Sequence, residues 1–210
     1  MGANRIGMAA CIAAALVAPV AAQDSGISRL ETLGSALRGE AAWRADYHQE
    51  YLPAGMETGE EVTGTVWVAW PDRALFRSGS PAQRLMGLEG RRVRLLDLEV
   101  ESCDEHVLND DEWARVPLAA VLDPGGAVTH FTVLARGERG IVLAPREPGG
   151  VDRVEVVLGN DDLPIEVVVV DPQGATNRLR FIDWRPADGP PDGQWLPPSP
   201  PDLSCVTDTP

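Results

Sequence analysis

Few residues in this chain have chemistry to offer. Beyond residue 22 it carries two cysteines, Cys103 and Cys205, and three histidines, His48, His106 and His130. The densest polar cluster is Cys103-Asp104-Glu105-His106. Adjacent residues on a strand point to opposite faces, so this run could converge on one metal only through a tight turn. No second ligand pair stands near it at zinc-like spacing, and a disulfide cysteine in a solvated acidic loop is the simpler reading. A Cys103–His106 nucleophile would need a reduced thiol. No serine lies in a nucleophile elbow, and neither a phosphate-binding loop nor a dinucleotide fingerprint is present. Asp161 and Asp162 sit in a turn before Pro164, where a solvated β-turn accounts for them. The residues point to a binding module with no metal and no cofactor, rather than to an enzyme.

The N-terminus explains the cysteine reading. Arg5 is followed by an apolar run from Ile6 to Ala22, then by the polar stretch Gln23-Asp24-Ser25-Gly26. A short charged region, an apolar core and the small residues Val20-Ala21-Ala22 mark residues 1–22 as a secretory signal cleaved after Ala22. Export places the protein in an oxidising compartment, where an even, minimal cysteine count favours one Cys103–Cys205 disulfide over two free thiols. The net charge is −14, and every acidic residue lies after residue 22. Such a surface argues against nucleic acid and allows only transient contact with anionic membranes.

The elements that must position any site are mostly strands. Ile27, Leu30, Leu33 and Leu37 repeat at helical spacing and predict one amphipathic helix over 27–40. From Trp43 the period becomes two, with Ala45, Tyr47, Gln49 and Tyr51 on one face of a first strand. TGTVWVAW reads as a second strand, stopped by Pro71, and the run to Leu98 as a turn at Leu88-Glu89-Gly90 followed by another strand. Residues 112–123 carry a short helical signal bounded by Pro117 and Pro124. THFTVLAR, GIVLAPR, VDRVEVVLG, IEVVVVD and NRLRFIDW then follow as strands, and their short turns imply antiparallel pairing. Residues 186–210 hold eight prolines and read as an extended tail after a domain over 23–185.

This order resembles the LolA family, the periplasmic carriers of bacterial lipoproteins. The helix is followed by Ala45-x-Tyr47-x-Gln49, similar to the family's small-x-aromatic-x-Gln start of its first strand. GTVWVAWPDRALFR is similar to the family's Gly-containing second strand running into a proline with a Phe beyond it. The position before that proline, commonly Arg in the family, is Trp70 here. RLMGLEGRRVRLLDLE, the strand pair ending in Leu143-x-Pro145, and the late hairpin with Asp171-x-x-Gly174 continue the match across residues 27–184.

The resemblance implies an α+β fold: a half-open antiparallel β-barrel, with an N-terminal helix and short lid helices covering an apolar cavity. It implies acylated lipoprotein or another lipid as cargo, an inner-membrane release complex and an outer-membrane receptor as partners, a periplasmic location and a monomer. By strand alternation or lid position the candidate cavity residues are Trp67, Leu96, Leu98, Leu118, Val121 and Leu122. Phe131, Val133, Leu143, Val167, Val169, Leu179 and Phe181 complete the set. The rival reading is an envelope signalling or assembly module that uses the same sheet to recognise a protein.

Overall fold

The computed structural model describes residues 18–115, 121–122 and 124–208. One large sheet dominates it, and the segments that build its two faces explain why.

The chain opens with α1 (Ala18–Leu37), which extends further toward the N-terminus than the leucine spacing alone indicates and spans the expected cleavage point after Ala22. Leu30, Leu33 and Leu37 form one stripe and are all buried. Full burial of such a side chain is worth about 1.5–3 kcal/mol, which holds the helix to the sheet more firmly than its intrinsic propensity could. Gly26 permits the closest approach: a Cβ there would fall 2.6 Å from the Leu134 carbonyl carbon. At the other end the Trp43 indole donates to the Leu37 carbonyl at 3.2 Å, satisfying one of the orphan acceptors of the last turn.

Among the described residues eleven strands follow, as two meanders, the first of six strands and the second of five, with helical segments between them. They are β1 (Ala42–Leu52), β2 (Glu60–Ala69), β3 (Arg73–Ser78), β4 (Arg84–Glu89), β5 (Arg92–Asp97) and β6 (Ser102–Val107). After α2 (Asp110–Arg115) and α3 (Pro124–His130) come β7 (Phe131–Arg136), β8 (Gly140–Pro145), β9 (Arg153–Leu158), β10 (Pro164–Val170) and β11 (Thr176–Ala187). Pro124 stands at the start of α3, where a missing N–H costs nothing; most of the expected helical segment 112–123 lies outside the described residues. A final strand, β12 (Val206–Asp208), pairs with β6. The sheet order is β12-β6-β5-β4-β3-β2-β1-β11-β10-β9-β8-β7, with β12 and β7 at opposite, unpaired ends. Every pairing is antiparallel except β12 with β6. The result is the expected α+β half-open barrel.

Two expectations change. Residues 73–78 form a strand of their own, and the Cys103–His106 run is the strand β6 rather than a solvated loop. β6 tolerates its charges because Glu105, although buried, accepts from Arg92 at 2.7 Å and from Arg94 at 2.9 and 2.5 Å. These hydrogen bonds hold the Glu105 carboxyl below the usual range, more than offsetting its burial.

The proline-rich tail crosses the outer face of the sheet. Trp195 packs with Ala42, Trp67, Ala69 and Leu75 in a small second core. Arg77 donates to Asp192 at 2.8 Å, Arg94 donates to the Pro197 carbonyl at 2.8 Å, and Arg73 lies 5.1 Å above the Trp195 ring. Gly87 makes the crossing possible: a Cβ there would fall 2.5 Å from the Pro197 ring and closer still to the Trp195 carbonyl. The tail ends at the Cys103–Cys205 disulfide beside β12, so it works as a strap fastened at both ends.

Candidate functional site

On the inner face, the sheet and helices leave a cavity of about 350 Å³, at the lower end of the roughly 300–1,000 Å³ common for small-molecule pockets. One end is walled by Leu37, Val68, Val121, Leu122 and Pro164, all buried. Phe76, Met86, Val167, Val169, Leu179 and Phe181 line the middle, and Trp184 adds an indole that donates to the Pro164 carbonyl at 2.7 Å. Gln49 and Asn177 stand together at the other end, and Ser78 lines the wall beside Tyr47; all three are half-buried.

Strand register explains this grading. Tyr47 is opposite Phe181 on one side and Gly64 on the other, and Gln49 is opposite Leu179. Gly64 in turn faces Ser78. With no side chain at Gly64, the Tyr47 ring can lie across β2, and its hydroxyl meets Ser78 Oγ at 2.5 Å. The ring also packs edge-on against Phe76, with centroids 5.5 Å apart. Burial pushes the Tyr47 phenol above its ordinary pKa, and the Ser78 hydrogen bond only partly counters this. Two residues further along β1, on the same face, the Gln49 amide donates to Asn177 Oδ1 at 2.9 Å. Among the described residues that line the cavity none is charged, although 24% of the chain is.

The residues singled out from the sequence fall into four groups. Val121, Leu122, Val167, Val169, Leu179 and Phe181 line the cavity together. Phe131, Val133 and Leu143 are on the inner face but packed into the main core with Leu30 and Leu33, away from the cavity surface. Trp67 and Leu96 belong to the opposite face: Trp67 lies under the strap, and Leu96 is buried opposite Cys103 in the β5–β6 register, edging a smaller hollow of about 180 Å³ that shares Ser78 and Met86 with the cavity. Leu98 is exposed beyond β5, and Leu118 falls outside the described residues. The cavity residues not anticipated include Leu37, Val68, Phe76, Met86 and Trp184. The period of β2 already placed Val68 opposite in facing to Trp67; what it lacked was a sign of which face is inner.

The position before Pro71 is also accounted for. Trp70 is covered by Arg38 from the end of α1, 4.7 Å above its ring. Among the described residues no three His, Cys, Asp or Glu side chains gather as a metal site would require.

The family model described as "Outer membrane lipoprotein carrier protein LolA" matches residues 39–194, from the start of β1 to the strap. The chain belongs to the LolA family. Among LolA relatives, an outer-membrane lipoprotein carrier protein of Xylella fastidiosa (strain Temecula1 / ATCC 700964) is 23% identical over 159 residues, covering 73% of this chain and 75% of its own. An uncharacterized conserved protein from Thermus thermophilus shares the fold at a TM-score of 0.51, with 14% identity, over 88% of this chain and 99% of its own. A LolA superfamily protein from Nitrosomonas europaea aligns over 82% of this chain and 97% of its own, with 9% identity and a TM-score of 0.45.

Proposed function

We propose that this LolA-family protein is a periplasmic carrier that shields acyl chains of lipoproteins, or of another lipid, in its inner-face cavity during transfer between membranes. The observation that carries this reading is the absence of charge from the described lining of a cavity inside a strongly acidic chain. A lining of Val, Leu, Phe and Met offers dispersion contacts without directional demands, which suits a flexible alkyl chain. Each methylene taken from water is worth about 0.8 kcal/mol, so even partial enclosure makes an insoluble cargo transportable. Cargo moves between a donor complex and a receptor by mass action, without a covalent step. A secretory signal over residues 1–22 and a monomeric carrier belong to the same reading.

The test is native mass spectrometry on the protein purified from the cell envelope without detergent. Acylated species that co-purify with it are the expected result. Recovery of apo protein alone, with no uptake of an added lipopeptide, contradicts the proposal.

A further inference from the structure

A cavity built only for alkyl chains has no use for amide side chains, yet Gln49 and Asn177 line one end of this one. Their mutual hydrogen bond uses one N–H of Gln49 and the carbonyl oxygen of Asn177. That leaves the Gln49 Oε1 and the Asn177 Nδ2 amide without a hydrogen bond among the described residues. The conclusion does not depend on how the two amides are oriented. If both are flipped, a free amide donor and a free acceptor still remain at the same end.

The apolar and polar ends are separated along the strands. On β11, Phe181, Leu179 and Asn177 succeed one another on the inner face; on β3, Phe76 is followed by Ser78; on β1, Tyr47 by Gln49. The closed end, at Leu37 and Leu122, is buried, while Gln49 and Asn177 are half-buried. A fatty acyl chain has the same asymmetry: a long apolar part and a single carbonyl where an ester or amide joins it to its headgroup. Burying that carbonyl without a donor costs free energy, and a hydrogen bond from an amide N–H removes the cost.

We propose that Gln49 and Asn177 form the headgroup end of the cavity and bind the carbonyl of an ester- or amide-linked acyl chain. The terminal methyl then points toward Leu37 and Leu122, and the headgroup leaves past Tyr51 and Thr176, the next inner-face and strand-end positions of β1 and β11. This rests on the carrier reading and sharpens it: the ligand is an acyl chain carrying a carbonyl, held in one orientation, rather than any apolar molecule.

The probes are 1-palmitoyl lysophosphatidylcholine and its 1-O-hexadecyl ether analogue, which share headgroup and chain length and differ in the carbonyl. Binding of each to the full chain below its micelle concentration is measured by calorimetry. Wild type is expected to bind the ester about fivefold tighter, the value of one net hydrogen bond. The double variant Gln49→Met, Asn177→Leu is expected to bind both alike, with ether affinity near wild type. Equal affinity of wild type for the two probes overturns this assignment and leaves the carrier reading standing, as does an ester preference that survives the double substitution. Binding of neither probe overturns this assignment; the carrier reading falls with it only if the lipopeptide is not taken up either. The wild-type comparison needs no variant, so it decides the matter even if the double variant does not fold.

Discussion

Gly64 lies directly opposite Tyr47 in the β1–β2 register, and a Cβ built on it would fall 2.8 Å from both the Tyr47 hydroxyl and the edge of its ring. One absent side chain thus decides how the aromatic ring of β1 lies in the cavity wall. Gly64→Ala is expected to push the ring from its place, break the bond to Ser78 and destabilise the protein by about 1–3 kcal/mol, the usual cost of overpacking. Tyr47→Phe keeps the ring and loses only the hydroxyl, for about 0.5–1.5 kcal/mol. Denaturant unfolding of the two variants beside wild type checks both; equal stability of Gly64→Ala and wild type would show that the ring is not seated on Gly64.

Tyr47 also fixes a behaviour at high pH. Its folded pKa is raised above the ordinary value near 10, so the folded state keeps a proton that the unfolded state has lost. The stability this contributes is complete below pH 10 or so and is lost as pH rises through the folded value. An alkaline titration followed by phenolate absorbance should show a late phase that Tyr47→Phe removes. Persistence of that phase in the variant would assign it elsewhere.

Glu105 works in the opposite sense. Its hydrogen bonds from Arg92 and Arg94 lower its folded pKa below the ordinary value of about 4.5. The stability from this group is therefore present above that value and is lost as pH falls through the lowered one. Glu105→Gln is expected to unfold more readily at neutral pH and to show a flatter acid limb in thermal unfolding from pH 6 to 3. An acid limb as steep as that of wild type would contradict the assignment.

The strap makes a separate prediction. Cys103 and Cys205 close a loop of 102 residues, and removing a native disulfide typically costs about 2–5 kcal/mol. Cys205→Ala should fall in that range and should expose residues 188–208 to limited proteolysis. Gly87→Val attacks the same element from the sheet side, where its side chain collides with Trp195 and Pro197. It should give the same cleavage pattern with the disulfide intact. Protection of the tail in both variants would mean that the strap is held by other contacts.

What was legible in the sequence depended on whether a segment has one buried face or two. The leucines of α1 and the alternation of Leu179 and Phe181 with Arg178 and Arg180 in β11 reveal their elements, because one side of each meets solvent or charge. In β2 both faces are buried near its end, Val66 and Val68 under the inner core and Trp67 under the strap. Alternation there marks two faces without saying which is inner, and Trp67 lies on the outer one, contrary to the expectation from alternation. β6 has no apolar alternation at all; its strand is supported by Arg92 and Arg94 across the register, a relation that only the paired β5 reveals. Val121, Leu122, Val167, Val169, Leu179 and Phe181 share the cavity because long-range pairing brings them there. Phe131, Val133 and Leu143 follow the same parity but pack beneath α1, a difference set by where the helix lies.

The central claim is that the inner-face cavity is where cargo binds. Leu179 is half-buried on its wall, and Leu179→Trp would fill the space while leaving the outer face and strap untouched. The measurement is displacement of a cavity-bound hydrophobic dye by an acylated lipopeptide, in wild type and in this variant, with thermal unfolding to verify that both are folded. Wild type is expected to bind the dye and release it to the lipopeptide, and the folded variant to lose at least tenfold in affinity for both. A folded Leu179→Trp protein that binds the lipopeptide as wild type does would contradict the account.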